Sequence, residues 1–359
     1  MIAPKSLNDI SSTKAIIDAQ MNFYCNERKT NAETVSQRYA ELWESIGSLL
    51  LAGGKRIRPH LLLTAYMGYE DGGEVEDVLS AALSQEILHS AMLIHDDIID
   101  RDDTRYGVKN ISGQYKNIYA PHIADKQERA HMSLSAAILA GDILLSDAHR
   151  LLRRTDRPQG RVDKASEILS NAVFEVVGGE LLDTEVSFLP VGIISAETIA
   201  QYKTASYSFT SPLTIGAVLA GAPESELELL RELSQKLGVG YQMRDDILGV
   251  FGDEAKTGKS ASTDITEGKR TFLIEQFEML ATPAQSKRFL QIFHRPDATE
   301  QELEEARELL VEAGAKSAVE QQIDSLRDAA YELIEQLGMN KPAKAEIYLI
   351  AKKCLQRDI

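Results

Sequence analysis

Apolar residues recur along most of the chain at intervals of three and four positions, whereas alternating apolar and polar runs bounded by turn signals are almost absent. The first spacing places apolar side chains on one face of an α-helix, and the second is typical of a half-buried strand. The pattern therefore predicts an all-α fold. The predicted helices cover about residues 77–100, 133–153, 164–185, 196–220, 225–250, 271–293, 300–313, 316–337 and 342–357.

The first of these helices, in the segment "DVLSAALSQEILHSAMLIHDDIID", is apolar on more than one face. A helix of this kind belongs in the centre of a bundle. Another helix has a clear start and stop, because Thr299 and Glu302 form a capping-box pattern and Gly314 follows its end. No Pro/Gly-rich linker divides the sequence, so we expect a single helical domain over residues 1–359.

The chain is acidic, with 55 Asp and Glu against 39 Lys and Arg and a formal net charge of −16. This balance argues against nucleic acid as a partner, although a few cations or a bridging metal could still hold a small phosphorylated substrate. The two cysteines, Cys25 and Cys354, support neither a disulfide framework nor a cysteine metal site. Without a signal-peptide pattern or an apolar run of about 18 residues, the sequence predicts a cytoplasmic protein with no membrane span.

The stretch "LIHDDIIDRDDTRYG", residues 93–107, concentrates five aspartates after an apolar run. Asp96, Asp97 and Asp100 occupy positions i, i+1 and i+4, so a helix would place all three carboxylates on one side. Mg²⁺ prefers oxygen ligands and often bridges one or two carboxylates to substrate phosphates. The cluster therefore indicates a magnesium–phosphate site, and a solvated acidic helix end is the alternative. Asp102 and Asp103 are interpreted as solvated.

A second acidic pair, Asp245 and Asp246, lies in "GYQMRDDILGVFGDEAKTGKS", again after a long apolar helix. Two such pairs on buried helices could bind opposite sides of a metal-bound diphosphate. The loop that follows is not a P-loop, because five residues rather than four separate its glycines and a helix precedes it. Lys259 and Lys269 could neutralise a diphosphate near the pair, or could be ordinary surface lysines.

A third cluster, "LLLAGGKRIRPHLLL", places Lys55, Arg56 and Arg58 between apolar flanks after two glycines. Charges in such a position need partners, and an anion held by Lys55 and Arg58 would supply one. His89 lies seven residues before Asp96 and falls on about the same helix face, although a hydrogen-bonded core histidine is the alternative. His95 is interpreted as structural.

Together, "GGKRIRP", "HSAMLIHDDIIDRDDTRYG", "YKTAS", "GYQMRDDILGVFGD" and "TGKSASTDITEGKRT" resemble the motifs of the trans-prenyltransferases, the isoprenyl diphosphate synthases, in order and spacing. They span about residues 49–271, which corresponds to the family's catalytic core. The resemblance implies an isoprenoid synthase-type helical bundle around a central cavity. It also implies a homodimer that uses several Mg²⁺ ions to condense isopentenyl diphosphate with an allylic diphosphate.

The resemblance also implies roles for individual residues. Asp96, Asp97, Asp100, Asp245 and Lys203 are expected to be catalytic, with Asp96, Asp100 and Asp245 as metal ligands, and Asp246 completes the second motif. The residues expected to contact the allylic diphosphate or to line the same cleft are Arg105, Lys203, Lys259, Lys269, Thr204, Gln242 and Asp183. The residues expected to bind isopentenyl diphosphate are Lys55, Arg58 and His89.

Two positions depart from the family pattern. Tyr106 stands where a second arginine usually helps to hold isopentenyl diphosphate, and Gly249 replaces the third aspartate of the second motif, which leaves the role of Asp253 open. Ala91 and Met92 precede the first aspartate at the positions that help to set product length. Because alanine leaves space, geranylgeranyl diphosphate is the expected product, with farnesyl or longer diphosphates as alternatives.

Two other classes of protein share parts of this pattern. Terpene cyclases and head-to-head condensing enzymes have similar acidic motifs, but they do not require Lys55, Arg58 and a matched His89. A non-catalytic subunit that regulates a synthase is the second alternative, which the intact first aspartates disfavour and which the changes at Tyr106 and Gly249 leave open.

Overall fold

A computed structural model describes residues 10–70, 72–189, 192–252 and 263–356. Helices dominate these residues, which confirms the predicted all-α fold class. The α-helices are α1 (Ile10–Glu33), α2 (Gln37–Ala52), α3 (Ile57–Tyr69), α4 (Leu79–Ile99), α5 (Ile111–Ile118), α6 (Lys126–Leu152), α7 (Gln159–Val186), α8 (Ala196–Ile199), α9 (Ser211–Ala220), α10 (Glu224–Phe251), α11 (Thr263–Glu267), α12 (Phe272–Leu280), α13 (Pro283–Phe289), α14 (Glu300–Glu312), α15 (Ala315–Gln336) and α16 (Lys341–Leu355). A 3₁₀-helix covers Val75–Val78.

Between α8 and α9 the chain stays helical but changes its hydrogen-bond pattern. Ala200–Thr210 is a π-helix, so the predicted helix over 196–220 is continuous but not regular. π-helical turns are rare and are frequently found at functional sites. Lys203 and Thr204, two predicted site residues, lie in this segment.

The prediction of one helix over 271–293 is wrong, because α12 ends at Leu280 and α13 begins at Pro283. Proline disfavours the helical conformation of the residue before it, and Thr282 is accordingly extended, with φ −67° and ψ 156°. Thr282 then forms a capping box with Gln285. The predicted capping box of Thr299 with Glu302 is confirmed, and Gly314 adopts a left-handed φ of 83° after α14.

The chain divides into two compact units by its internal contacts. The first unit comprises Met1–Leu169 and Pro212–Ala222. In it α4 packs against α6, α3 and α1, and α5 packs against α6. The apolar face predicted for α4 is buried at Ile87, Leu88, Ala91 and Ile94. This burial fixes the helix whose end carries the first acidic cluster.

A short hairpin follows α4 in the same unit. Strand β1 (Thr104–Arg105) pairs antiparallel with β2 (Val108–Lys109), and a two-residue turn joins them. Tyr106 and Gly107 form this turn with φ of 54° and 76°, the signs that a type I′ turn requires. The sequence pattern did not predict these strands, because two residues are too few to show a period.

The second unit comprises Ser170–Ser211 and Pro223–Ile359. Helix α10 packs against the π-helix, α15 and α16. Gly238 of α10 allows close packing on the π-helix, since a Cβ at this position would lie 2.3 Å from the Cβ of Ala205. In the described part of the chain, no helix is both long and apolar enough to cross a membrane. The expectation of one domain over residues 1–359 stays a prediction.

Candidate active site

The first acidic cluster lies at the end of α4. The helix ends at Ile99, Asp100 is its C-cap, and Arg101 has a left-handed φ of 61°. The three aspartates differ in exposure, because Asp97 is only 2% exposed, Asp96 is half-buried and Asp100 is exposed. Adjacent residues of this cluster therefore meet different environments.

Arg105 of the hairpin pairs with two of these aspartates. Its Nε lies 2.7 Å from Oδ1 of Asp97, and its Nη2 lies 3.0 Å from Oδ2 of Asp96. Burial raises the pKa of Asp97 to about 6, although Arg105 favours the charged carboxylate. The Arg105 guanidinium therefore offsets part of the repulsion between Asp96 and Asp97. Asp102 and Asp103 are exposed, and Asp103 pairs with Lys116.

The turn between α2 and α3, together with the start of α3, carries three cations that differ in burial. Arg56 adopts a left-handed φ of 55° and is 4% exposed. Its guanidinium donates to Oε1 of Glu86 at 2.7 Å, to Oδ1 of Asp18 at 2.8 Å and to the backbone oxygen of Leu50 at 2.8 Å. Arg56 therefore holds the turn in place. Sequence analysis missed Asp18 and Glu86. Glu86 lies on α4, which the sequence predicts to be buried, and a glutamate in a buried helix is a signal for an internal ion pair.

Lys55 is exposed and Arg58 is half-buried, so both differ from the buried Arg56. His89 on α4 lies in the field of the same group of cations. Burial, together with Arg58, Arg105 and Arg56, holds the pKa of His89 well below its usual value. His89 is therefore neutral near pH 7, and the structure brings it into electrostatic contact with two predicted site residues, Arg58 and Arg105.

The second acidic pair lies on α10. Asp245 is half-buried, whereas Asp246 is 5% exposed. Asp246 accepts a hydrogen bond from Nε2 of Gln242 at 2.9 Å and another from the backbone N–H of Phe272 at 3.0 Å. The second bond satisfies one of the N–H donors at the start of α12 that has no partner within the helix. Burial, together with the nearby Asp264 and Asp245, raises the pKa of Asp246 to about 8.

Predicted site residues of the π-helix join this network. Thr204 donates to Oε1 of Gln242 at 2.8 Å, so a chain of hydrogen bonds runs from Thr204 through Gln242 to Asp246. The ammonium of Lys203 lies 2.6 Å from Asp183 and 3.0 Å from Glu180, which sequence analysis missed. The π-helix and α7 approach closely here, because a Cβ at Gly179 would lie 2.2 Å from the backbone nitrogen of Lys203.

A carboxylate from elsewhere lies beside Gly249, where the family pattern has a third aspartate. A Cβ at Gly249 would lie 2.5 Å from Oδ2 of Asp264, so this glycine makes room for the Asp264 side chain. Lys269 lies 3.3 Å from Glu267. Lys259 and Asp253, named from the sequence, lie outside the described residues.

The two positions expected to set product length differ in burial. Ala91 is fully buried within α4, and Met92 is half-buried. His95, one helical turn after Ala91, packs on α6, because a Cβ at Gly141 would lie 2.1 Å from its Nε2. This contact is consistent with the structural interpretation of His95.

Comparisons with known proteins agree on one family. Residues 40–310 match the polyprenyl synthetase family. A short chain isoprenyl diphosphate synthase of Methanocaldococcus jannaschii is 33% identical over 75% of this chain and 76% of its own. A geranylgeranyl diphosphate synthase of Methanosarcina mazei is 31% identical over 89% of this chain and 91% of its own.

A solved structure is also similar over nearly the whole length. The geranylgeranyl pyrophosphate synthase of Corynebacterium glutamicum, crystallised with isoprenyl diphosphate and magnesium, superposes with a TM-score of 0.90 at 27% identity. The match covers 98% of this chain and 100% of that chain. With the family match and the relatives above, this shows that the chain belongs to the polyprenyl synthetase family and is a trans-prenyltransferase.

Proposed function

We propose that the protein is a magnesium-dependent, chain-elongating prenyltransferase that condenses isopentenyl diphosphate with an allylic diphosphate to give geranylgeranyl diphosphate. The observation that carries the proposal is the grouping of predicted site residues in the first unit. There Arg105 bonds Asp96 and Asp97, and His89 lies in the field of Arg58 and Arg105. Two of the similar proteins described above are named as geranylgeranyl synthases, which supports this product.

The donor set fits magnesium. Among the described residues, no group of three or more His, Cys, Asp or Glu side chains could hold a metal ion by itself. The half-buried Asp96 and Asp245 and the exposed Asp100 offer carboxylate oxygens, and Mg²⁺ usually binds through one or two carboxylates while water and substrate phosphates complete its shell. We propose Asp96 and Asp100 of the first unit and Asp245 of the second as ligands for several ions. Bound Mg²⁺ would stabilise the negative charge of the departing diphosphate.

The side chains proposed to act directly on the substrates are mostly cations. Arg105, Lys203, Lys259 and Lys269 would meet the charge that develops on the allylic diphosphate as its carbon–oxygen bond breaks. Thr204 and Gln242 would orient this substrate through the hydrogen-bond chain that ends at Asp246.

A separate set of side chains is proposed for the second substrate. Lys55, Arg58 and the neutral His89 would hold isopentenyl diphosphate with its double bond beside the allylic carbon. The double bond then attacks the allylic cation, and a proton is lost to the released diphosphate. Orientation of the two substrates and stabilisation of the developing diphosphate charge would both lower the barrier to this reaction.

The direct test is incubation of the purified protein with MgCl₂, isopentenyl diphosphate and dimethylallyl, geranyl or farnesyl diphosphate in turn. We expect a C20 product from at least one primer, measured by extraction, dephosphorylation and chromatography. EDTA should abolish the reaction and added Mg²⁺ should restore it. Absence of elongation with all three primers would refute the proposed activity and favour a regulatory subunit.

Product length provides a second test. Ala91→Phe is expected to shorten the main product by at least one C5 unit, because the larger side chain would occupy space below the first aspartates. The substitution adds volume at a fully buried position, so it should also destabilise the fold by about 1–3 kcal/mol. Met92→Leu, a similar-volume change at the neighbouring position, is the control. An unchanged product from folded Ala91→Phe would contradict the assignment.

We also propose that the chain is a cytoplasmic homodimer. The homodimer is supported by an apolar stripe that α7 and the residues after it expose, formed by Phe174, Val177, Leu181 and Phe188. Phe174 is 82% exposed and Val177 56% exposed. Exposed apolar side chains grouped in this way are a common mark of a protein interface.

Val177→Glu is expected to convert the dimer to a monomer, because it places a charge in the proposed interface. The control is Val311→Glu on α14, since Val311 is 52% exposed and lies in a different part of the chain. Sedimentation equilibrium should give twice the 39.7 kDa chain mass for wild type and control, and one chain mass for Val177→Glu. A monomeric wild type, or a dimeric Val177→Glu, would contradict the proposal.

A further inference from the structure

We propose that Tyr106 is a positioning residue, whose ring joins the β1–β2 hairpin to the turn that carries Lys55 and leads into α3, where Arg58 lies. Its contact surface is Gly53, the first residue after α2. A Cβ at Gly53 would lie 2.8 Å from Cγ, 3.0 Å from Cδ1 and 3.1 Å from Cβ of Tyr106. The base of the ring thus lies directly on the glycine, and no other residue type fits there without displacing it.

The backbone conformation of Tyr106 indicates that its ring is needed for a contact outside the hairpin turn. Its φ of 54° is a left-handed conformation that a bulky residue rarely adopts. The first position of a type I′ turn favours Asn, Asp or Gly. An aromatic residue is therefore poorly suited to the turn itself, and such outliers tend to persist where the surroundings require them.

The charges around Tyr106 belong to both segments that the ring joins. Tyr106 is 46% exposed, but partial burial of its phenol and the nearby Glu86 raise the pKa of this group, while Arg105, Arg58 and Arg56 oppose the shift. Arg105 belongs to the hairpin, and Arg56 and Arg58 belong to the turn and the start of α3. Tyr106 is therefore within electrostatic range of the cations on both sides of the contact.

The contact between Tyr106 and Gly53 links the positions of two groups of predicted site residues in the first unit. Arg105 precedes Tyr106 and bonds Asp97 at 2.7 Å and Asp96 at 3.0 Å, so the hairpin position sets the position of this guanidinium. Gly53 begins the turn that carries Lys55 and leads into α3, where Arg58 lies. The ring therefore fixes the spacing between the two cation groups by packing. This inference rests on the proposed function only in assigning Lys55 and Arg58 to isopentenyl diphosphate.

The kinetic test compares Tyr106→Asn with Tyr106→Phe. Asparagine suits the left-handed turn but removes the ring, whereas phenylalanine keeps the ring and removes only the hydroxyl. We expect Tyr106→Asn to raise the KM for isopentenyl diphosphate about tenfold with kcat within about twofold of wild type, because binding groups are misplaced. Tyr106→Phe should keep this KM within about twofold of wild type.

The kinetic results distinguish positioning by the Tyr106 ring from substrate binding by its hydroxyl. If Tyr106→Phe raises the KM as much as Tyr106→Asn, the hydroxyl binds substrate and the positioning role is refuted. An unchanged KM in Tyr106→Asn would also refute it. A wild type that elongates no primer would instead refute the proposed function, and the packing contact is then still tested by stability.

The stability test is a double-mutant cycle with Gly53→Ala. Gly53 has φ −171° and ψ −167°, an extended conformation, so alanine meets an obstacle mainly in the Tyr106 ring. We expect Gly53→Ala to lower Tm by about 3 °C in wild type and by less than about 1 °C in Tyr106→Asn. Equal shifts in both backgrounds would show that the ring and the glycine are not coupled, which would overturn the inference.

Discussion

Asp96→Asn is expected to lower kcat for chain elongation by about 10³-fold. Asn keeps an oxygen that can accept from Arg105, which lies 3.0 Å from Oδ2 of Asp96, so the local structure should persist. The substitution removes the negative charge proposed to hold Mg²⁺. The loss should therefore appear in steady-state elongation assays at saturating substrate, with unchanged circular dichroism and Tm.

Asp102→Asn is the matched control for Asp96→Asn, because it makes the same change of charge six residues further along. Asp102 is exposed, and kcat should remain within about twofold of wild type. A kcat for Asp96→Asn within tenfold of wild type would contradict the metal-ligand role. An equal loss in both variants would point to the overall charge of the segment instead of one ligand.

Arg56→Met is expected to lower the free energy of unfolding by about 3–5 kcal/mol, because it leaves Glu86 as a buried and unpaired charge. Glu86 is 2% exposed, and Arg56 donates to it at 2.7 Å. Methionine keeps an unbranched side chain of similar length at the same left-handed position, so the backbone cost should change little. Denaturant unfolding followed by circular dichroism measures the effect.

Lys55→Met is the matched control for Arg56→Met, because Lys55 is the neighbouring cation and is exposed. Its free energy of unfolding should change by less than about 0.5 kcal/mol, while its KM for isopentenyl diphosphate should rise. The double variant Arg56→Met/Glu86→Gln should recover part of the lost stability. Equal stability losses at Lys55 and Arg56 would refute the separation of roles within the turn.

From about residue 77 onward most long helices were predicted from the sequence, because the three- and four-residue spacing survives wherever one face is buried. Helices α1, α2, α3 and α5 were not among the predicted helices. The failure at 271–293 has a local cause, since the apolar spacing continues through Pro283 although the backbone cannot remain helical before it. The hairpin at Thr104–Lys109 had no comparable signal. Its turn depends on the left-handed Tyr106, and the residue type at that position argues against such a turn.

The role of Arg56 was less predictable, because adjacency in the sequence placed it with Lys55 and Arg58. Its partners Asp18 and Glu86 lie 38 and 30 positions away. A motif shows which residue types are near one another along the chain, but it does not show which of them is buried. Here burial sets Arg56 apart as the residue that supports the turn, whereas Lys55 is exposed and Arg58 is half-buried.

The two acidic motifs also contain adjacent residues whose difference in burial the sequence does not show. In each, the second aspartate is buried and accepts hydrogen bonds from the protein, Asp97 from Arg105 and Asp246 from Gln242 and Phe272. The first aspartate of each pair, Asp96 or Asp245, is half-buried. Adjacent residues of one motif therefore differ in burial, although Asp96 also accepts a hydrogen bond from Arg105, and the sequence pattern shows neither fact.

The π-helix of Ala200–Thr210 makes the number of residues in this stretch as important as their identity. Each residue of an α-helix turns the chain by about 100°, so one deletion that restored α-helical bonding would rotate Lys203 relative to Phe209 by about that angle. Lys203 would then lose its alignment with Asp183, and Thr204 its alignment with Gln242. During divergence, this stretch is therefore expected to accept exchanges of side chain far more readily than a change of length.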